Sequence, residues 1–279
     1  MRKGTRLQLA AVSTALWMVT VLWGCGGGVP NVRIDRGYPD FRLAKTIMGE
    51  YHPMRLSVFE RTGYAISEDL NEVFVLDLEQ RRINKRIPVG TNPMGIVVTP
   101  DGRFTLVTNH HSDDISIIEN ARGEGVRTLA LGNNPCGIAL SPDGSRVYVT
   151  HHGGNRVSVL SIPSFETLAR VEVGTGPMAV AVTPDGLYVF VVNEDSNNVS
   201  VFESESFRTE TVIPVGRAPK GVAVSTDGRW AYVANRGSDS LSVIDVRQRS
   251  VVRTMPLDHG PVIMETAPFG SGQYSLVVW

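Results

Sequence analysis

The chain has 279 residues, 42% of them hydrophobic, enough to bury a core in one or two domains. Its formal net charge is −1, and three of its positive charges (Arg2, Lys3 and Arg6) fall in the first 24 residues, which leaves the rest at −4. A mildly acidic body lacks the basic footprint of a nucleic-acid binder, and two cysteines, Cys25 and Cys136, imply no disulfide framework.

The N-terminus comes first. Arg2, Lys3 and Arg6 precede a mostly apolar, uncharged run from Leu7 to Trp23, too short to favour a spanning helix and laid out like a secretory signal. The run ends in Leu22-Trp23-Gly24-Cys25 and is followed by Gly26-Gly27-Gly28. This resembles a bacterial lipobox, with Trp23 departing from the usual small residue. Residues 1–24 are thus expected to be a lipoprotein signal peptide, and residues 25–31 a lipidated Cys25 with a flexible leash. The expected location is the extracytoplasmic cell envelope, at the outer membrane if the cell is Gram-negative, since Gly26 rather than Asp follows the cysteine.

Beyond residue 32 a repeat dominates. Pro100-Asp101-Gly102, Pro142-Asp143-Gly144, Pro184-Asp185-Gly186 and the variant Thr226-Asp227-Gly228 recur at a step of 42. A second marker runs Pro93, Pro135, Pro177, Pro219 and Pro261 at the same step, with Pro53 forty residues ahead of it. Each repeat reads as four short strands. In the third, Gly137–Leu140 is followed by a Pro-Asp-Gly turn, then Arg146–Thr150, a polar turn through His151 to Asn155, Val157–Leu160, and a last strand near Thr167 to Val173. The aromatic in strand two (Tyr64, Phe104, Tyr148, Tyr188, Tyr232, Tyr274) reads as core.

Strands apolar on both faces need cover on both sides, which stacking sheets around an axis provides. The predicted fold is all-β: a six-bladed β-propeller of four-stranded antiparallel blades spanning residues 32–279, with repeats starting near 53, 93, 135, 177, 219 and 261. The last repeat ends after its second strand, so its missing strands are sought at the other end. Val32–Asp35 is expected as the third strand beside the segment ending at Trp279, and Phe41–Ile47 as the fourth, an N-/C-terminal velcro closure.

Gly90-Thr91-Asn92-Pro93-Met94-Gly95, Ser141-Pro142-Asp143-Gly144, Val147-Tyr148-Val149-Thr150, Val243-Ile244-Asp245 and Tyr232-Val233-Ala234-Asn235 are similar to YVTN-type β-propeller repeats. The resemblance implies the fold and leaves activity open, because members are similar to archaeal surface-layer proteins, a haem-carrying nitrite reductase propeller and seven-bladed lactonases.

Two sets of residues bear on function. His52, His110, His111, His151, His152 and His259 all map to strand-one entries or to turns between strands two and three, which share one face, the top. They are candidate ligands for a transition metal (copper or zinc) or a haem. Met54, Met94, Cys136, Met178 and Lys220 follow the repeat prolines and are expected to ring the channel mouth, where the sulfur donors either favour copper(I) or pack between blades. No nucleophile elbow or phosphate-cradling loop appears. The leading expectation is a non-enzymatic, membrane-anchored scaffold binding a protein, glycan or small ligand on the top face. The alternatives are a metal- or haem-handling protein and, from the resemblance, a lactonase-like hydrolase.

Overall fold

A computed structural model describes residues 17–22, 31–35, 47–51, 53–121, 126–257, 261, 264–269 and 273–278. Two strands come first, β1 (Trp17–Leu22) and β2 (Asn31–Asp35). Sheet one follows, made of β3 (Arg55–Phe59), β4 (Thr62–Ser67), β5 (Glu72–Asp77) and β6 (Arg82–Pro88). Sheet two holds β7 (Pro93–Val98), β8 (Phe104–Asn109), β9 (Asp114–Glu119) and β10 (Val126–Ala130). Sheet three holds β11 (Pro135–Leu140), β12 (Arg146–His151), β13 (Arg156–Ser161) and β14 (Thr167–Glu172). Sheet four holds β15 (Pro177–Val182), β16 (Tyr188–Asn193), β17 (Asn198–Glu203) and β18 (Thr209–Pro214). Sheet five holds β19 (Pro219–Val224), β20 (Trp230–Asn235), β21 (Ser240–Asp245) and β22 (Ser250–Pro256). Last come β23 (Met264–Phe269) and β24 (Gln273–Val278).

The molecule is an all-β propeller. Each of the five sheets joins four consecutive strands by antiparallel pairing. Their first strands pack in succession, β3 on β7, β7 on β11, β11 on β15 and β15 on β19, and together line a central cavity of about 420 Å³. Second strands are the most protected: β8 and β20 are buried at every residue. Neighbouring sheets cover both their faces, so side chains of either parity are buried. Fourth strands face outward and alternate, as the exposed and half-buried residues of β6 show. Shared clusters weld the sheets together, Leu106 and Ile115 packing with Val147 and Val149, and Tyr148 with Val189 and Phe202. Each such side chain contributes about 1.5–3 kcal/mol through burial.

The Pro-Asp-Gly turn joins strands one and two. Gly144 adopts φ 70°, and Asp143 Oδ1 accepts from Ser141 Oγ at 2.5 Å and from the Ser145 amide at 3.0 Å. The same arrangement recurs at Asp101, Asp185 and Asp227.

The chain ends depart from expectation. They form a four-stranded sheet in the order β2-β1-β24-β23, and β23 packs on β19. The strand beside β24 is Trp17–Leu22, with Val21 opposite Tyr274, and Asn31–Asp35 lies one place further out. The apolar Trp-Met-Val-Thr-Val-Leu segment suits an inner position better than Asn-Val-Arg-Ile-Asp, whose two charges suit an edge. Ile47 is not in a strand, and residues 41–46 lie outside the described residues. Among the described residues no first-strand packing joins β23 back to β3 as it joins the other sheets, so five propeller sheets are established rather than six closed blades. No helix among the described residues is long and apolar enough to cross a membrane.

Candidate functional site at the channel mouth

Entry segments and two-to-three turns are bonded to each other on one face. The amide of His110 donates to Asn92 O at 2.9 Å, that of His152 to Asn134 O at 3.0 Å, and that of Glu194 to Gly176 O at 2.8 Å. The repeat thereby sets one rim position per sheet: Glu68, His110, His152, Glu194 and Arg236 stand 42 residues apart.

At this rim several polar side chains meet. The His110 and His152 rings lie 6.1 Å apart, and the His111 ring is 5.0 Å from that of His110. His152 Nε2 is 3.7 Å from Glu194 Oε2, and Lys220 Nζ donates to the same oxygen at 2.5 Å. Asn92 donates its side-chain amide to Glu68. Nδ1 of His110 is buried without a hydrogen-bond partner. Burial lowers the His110 pKa, reinforced by His111 and His152 and opposed by Asp113 and Glu68. The imidazole is therefore held neutral near pH 7, with one nitrogen able to accept.

His151 corrects the sequence reading. It is the last residue of β12 and fully buried, not a turn residue on the top face. Its Nδ1 meets Gly132 O at 2.7 Å and its Nε2 meets Ser158 Oγ at 2.8 Å. The equivalent positions in sheets two, four and five are asparagines: Asn109 donates to Ser116 Oγ, Asn193 to Ser200 Oγ and Asn235 to Ser242 Oγ, each at 2.9 Å. His151 thus stands where three other sheets carry an asparagine, with both of its ring nitrogens hydrogen-bonded within the framework. Desolvation lowers its pKa, with Gly132 O opposing.

His52 and His259 lie outside the described residues, as does Cys25. Among the described residues no three His, Cys, Asp or Glu side chains are grouped as a metal site would require. Glu68 and Glu194 were missed by the sequence reading. The signal that finds them is the 42-residue phase of His110 and His152, rather than residue type.

Below the rim lies the second predicted set. Met54, Met94, Met178 and Lys220 are partly buried, and Cys136 is 1% exposed. Met54 packs against the core between sheets one and two. Cys136 Sγ and Met178 Sδ are 3.8 Å apart across adjacent sheets. Burial pushes the Cys136 thiol up to about 11, with Arg55 and Lys220 pulling it down and Glu194 adding to the rise. The set is brought together at Cys136, Met178 and, through Glu194, Lys220. The cavity lining begins with Arg55 in β3 and Gly137 in β11, directly after Met54 and Cys136.

A family model described as YNCE-like beta-propeller matches residues 30–226. A search of curated proteins finds no match. Among solved structures, hydrazine synthase of Kuenenia stuttgartiensis superposes with TM-score 0.60 at 18% identity, covering 82% of this chain and 95% of that one. A streptogramin B lyase superposes with TM-score 0.68 at 16% identity, covering 78% and 74%. A catalytically inactive virginiamycin B lyase variant from Staphylococcus aureus with quinupristin gives TM-score 0.67 at 15% identity, covering 77% and 75%. At these identities the likeness concerns the fold alone.

Proposed function

We propose that this chain, which belongs to the YNCE-like β-propeller family, is an envelope-anchored binding protein that holds a polar ligand on its top face. One observation carries the reading: the His110 and His152 imidazoles and a Glu–Lys pair from four successive sheets face one another at the channel mouth, with a buried His110 nitrogen left unbonded. A buried polar atom without a partner costs about 1–3 kcal/mol, which a ligand donor or acceptor placed there recovers. A rigid sheet scaffold supporting polar loop residues is the usual build of a recognition surface.

Anchoring belongs to the same proposal. Cleavage before Cys25 and lipidation of its sulfur tether the propeller outside the cytoplasm through the glycine leash. Cleavage also removes Trp17–Leu22, and Val32–Asp35 is the segment then free to pair with β24 and complete a sixth blade closed between the chain ends. Labelled fatty acid carried by wild type and lost in Cys25→Ser tests the anchor, and a soluble, unlabelled wild type would refute it.

Ligand recognition is tested by equilibrating the native protein with the low-molecular-mass fraction of its own envelope and identifying co-eluting compounds by mass spectrometry. A compound retained by wild type and lost by His110→Ala and His152→Ala, at unchanged melting temperature, supports the proposal. Equal retention by the variants removes the rim from it.

A further inference from the structure

We propose that Cys136 and Met178, with Met94 as third donor, form a binding site for a soft monovalent metal ion, copper(I), just below the rim. The two sulfurs come from adjacent first strands, β11 and β15, and lie 3.8 Å apart. An ion with metal–sulfur bonds of about 2.3 Å bridges that separation at a sulfur–metal–sulfur angle of about 110°, so little rearrangement is needed. Thiolate and thioether donors select copper(I) over hard cations. Met94 holds the same position on β7, the first strand that packs on β11. Its thioether is flexible enough to be recruited as a third donor when the ion binds.

The charges nearby fit this chemistry. Binding replaces the thiol proton with the metal: a sulfur–metal bond forms, the S–H bond breaks, and the proton leaves to solvent without change of oxidation state. Arg55 and Lys220 stabilise the thiolate that forms, while burial keeps the unmetallated thiol protonated and inert. Its donors are sulfur atoms, none of them among the imidazoles of the rim, so its success or failure is distinguishable from that of the ligand reading above.

The test uses the full chain carrying Cys25→Ser, to remove the other thiol, under anaerobic conditions. Copper(I) is supplied as its bathocuproine disulfonate complex. The expected result is uptake of one equivalent, sulfur scatterers at about 2.3 Å in X-ray absorption, and release of one proton. Cys136→Ser is expected to abolish uptake, and Met178→Leu, which preserves volume, to weaken it at least tenfold. His110→Ala and His152→Ala are expected to leave uptake unchanged. No transfer from the chelator, or uptake that survives Cys136→Ser, overturns the proposal. So does uptake lost with His110→Ala but kept with Met178→Leu.

Discussion

His151 and His152 are adjacent in the chain, yet the first is fully buried with both ring nitrogens bonded, while the second is about a third exposed beside Glu194. The phase of the repeat separates them. Position 151 aligns with Asn109, Asn193 and Asn235, which tie strand two to strand three inside sheets two, four and five. Position 152 aligns with Glu68, His110 and Glu194 on the rim. His151 ends β12 while His152 begins the turn that follows it, so two identical residues acquire a framework role and a surface role. The framework should respond to substitution through stability, and the rim through binding alone.

The largest effect is expected where sheets approach most closely. A Cβ on Gly137 would lie 2.5 Å from Met178 O, a backbone atom that cannot swing away. Gly137→Ala is therefore expected to cost about 3 kcal/mol, read as a lowered denaturant midpoint at unchanged slope. Ala179 holds the same register in sheet four, so Ala179→Gly is expected to have a much smaller effect. A Gly137→Ala protein as stable as wild type would mean that the sheets can separate slightly without loss.

Next comes the histidine itself. His151→Ala leaves Gly132 O and Ser158 Oγ without their partner and is expected to cost about 1–3 kcal/mol. His151→Asn restores what sheets two, four and five use and is expected to keep most of the stability. His152→Ala is expected to change stability by less than about 0.5 kcal/mol, because it removes only a partly exposed ring and a weak contact with Glu194. If His151→Ala and His152→Ala melted together, the division between framework and rim would collapse.

Much of this architecture was legible in the sequence, and the reasons for the gaps are physical. The Pro-Asp-Gly turns were legible because Asp and Gly each meet a stereochemical demand there, and their spacing disclosed four-stranded units. The Cys136–Met178 contact was legible as a ring of sulfur residues following the prolines. Glu68 and Glu194 were not, because a site defined by phase mixes residue types and a search for histidines passes over carboxylates. His151 was misplaced for a related reason: a polar residue at a strand end reads as turn until its asparagine counterparts are aligned. The pairing of Trp17–Leu22 with β24 was hidden because an apolar, β-prone run satisfies the requirements of a secretion signal and of an inner strand alike.

The smallest expected effect is the pH response, and it sharpens the comparison most. The His151 pKa is lowered mainly by burial, with the Arg156 and Arg170 charges acting in the same direction and Gly132 O and Asp113 opposing. The unfolded chain takes up a proton at the ordinary value of about 6.5, which the folded chain refuses. The stabilising contribution is then complete above about 6.5 and is lost as pH falls toward the folded value. His110 shifts in the same direction and adds to the slope. Asp143, whose carboxylate is held at about 2 by Ser141 and Ser145, acts in a separate acid window: its contribution is present above about 4 and fades toward pH 2. Melting temperature measured from pH 8 to pH 5 is therefore expected to fall in wild type and to fall less in His151→Asn, with His110→Asn removing a smaller share. A slope unchanged in His151→Asn but abolished in His110→Asn would transfer the titrating role from the framework to the rim.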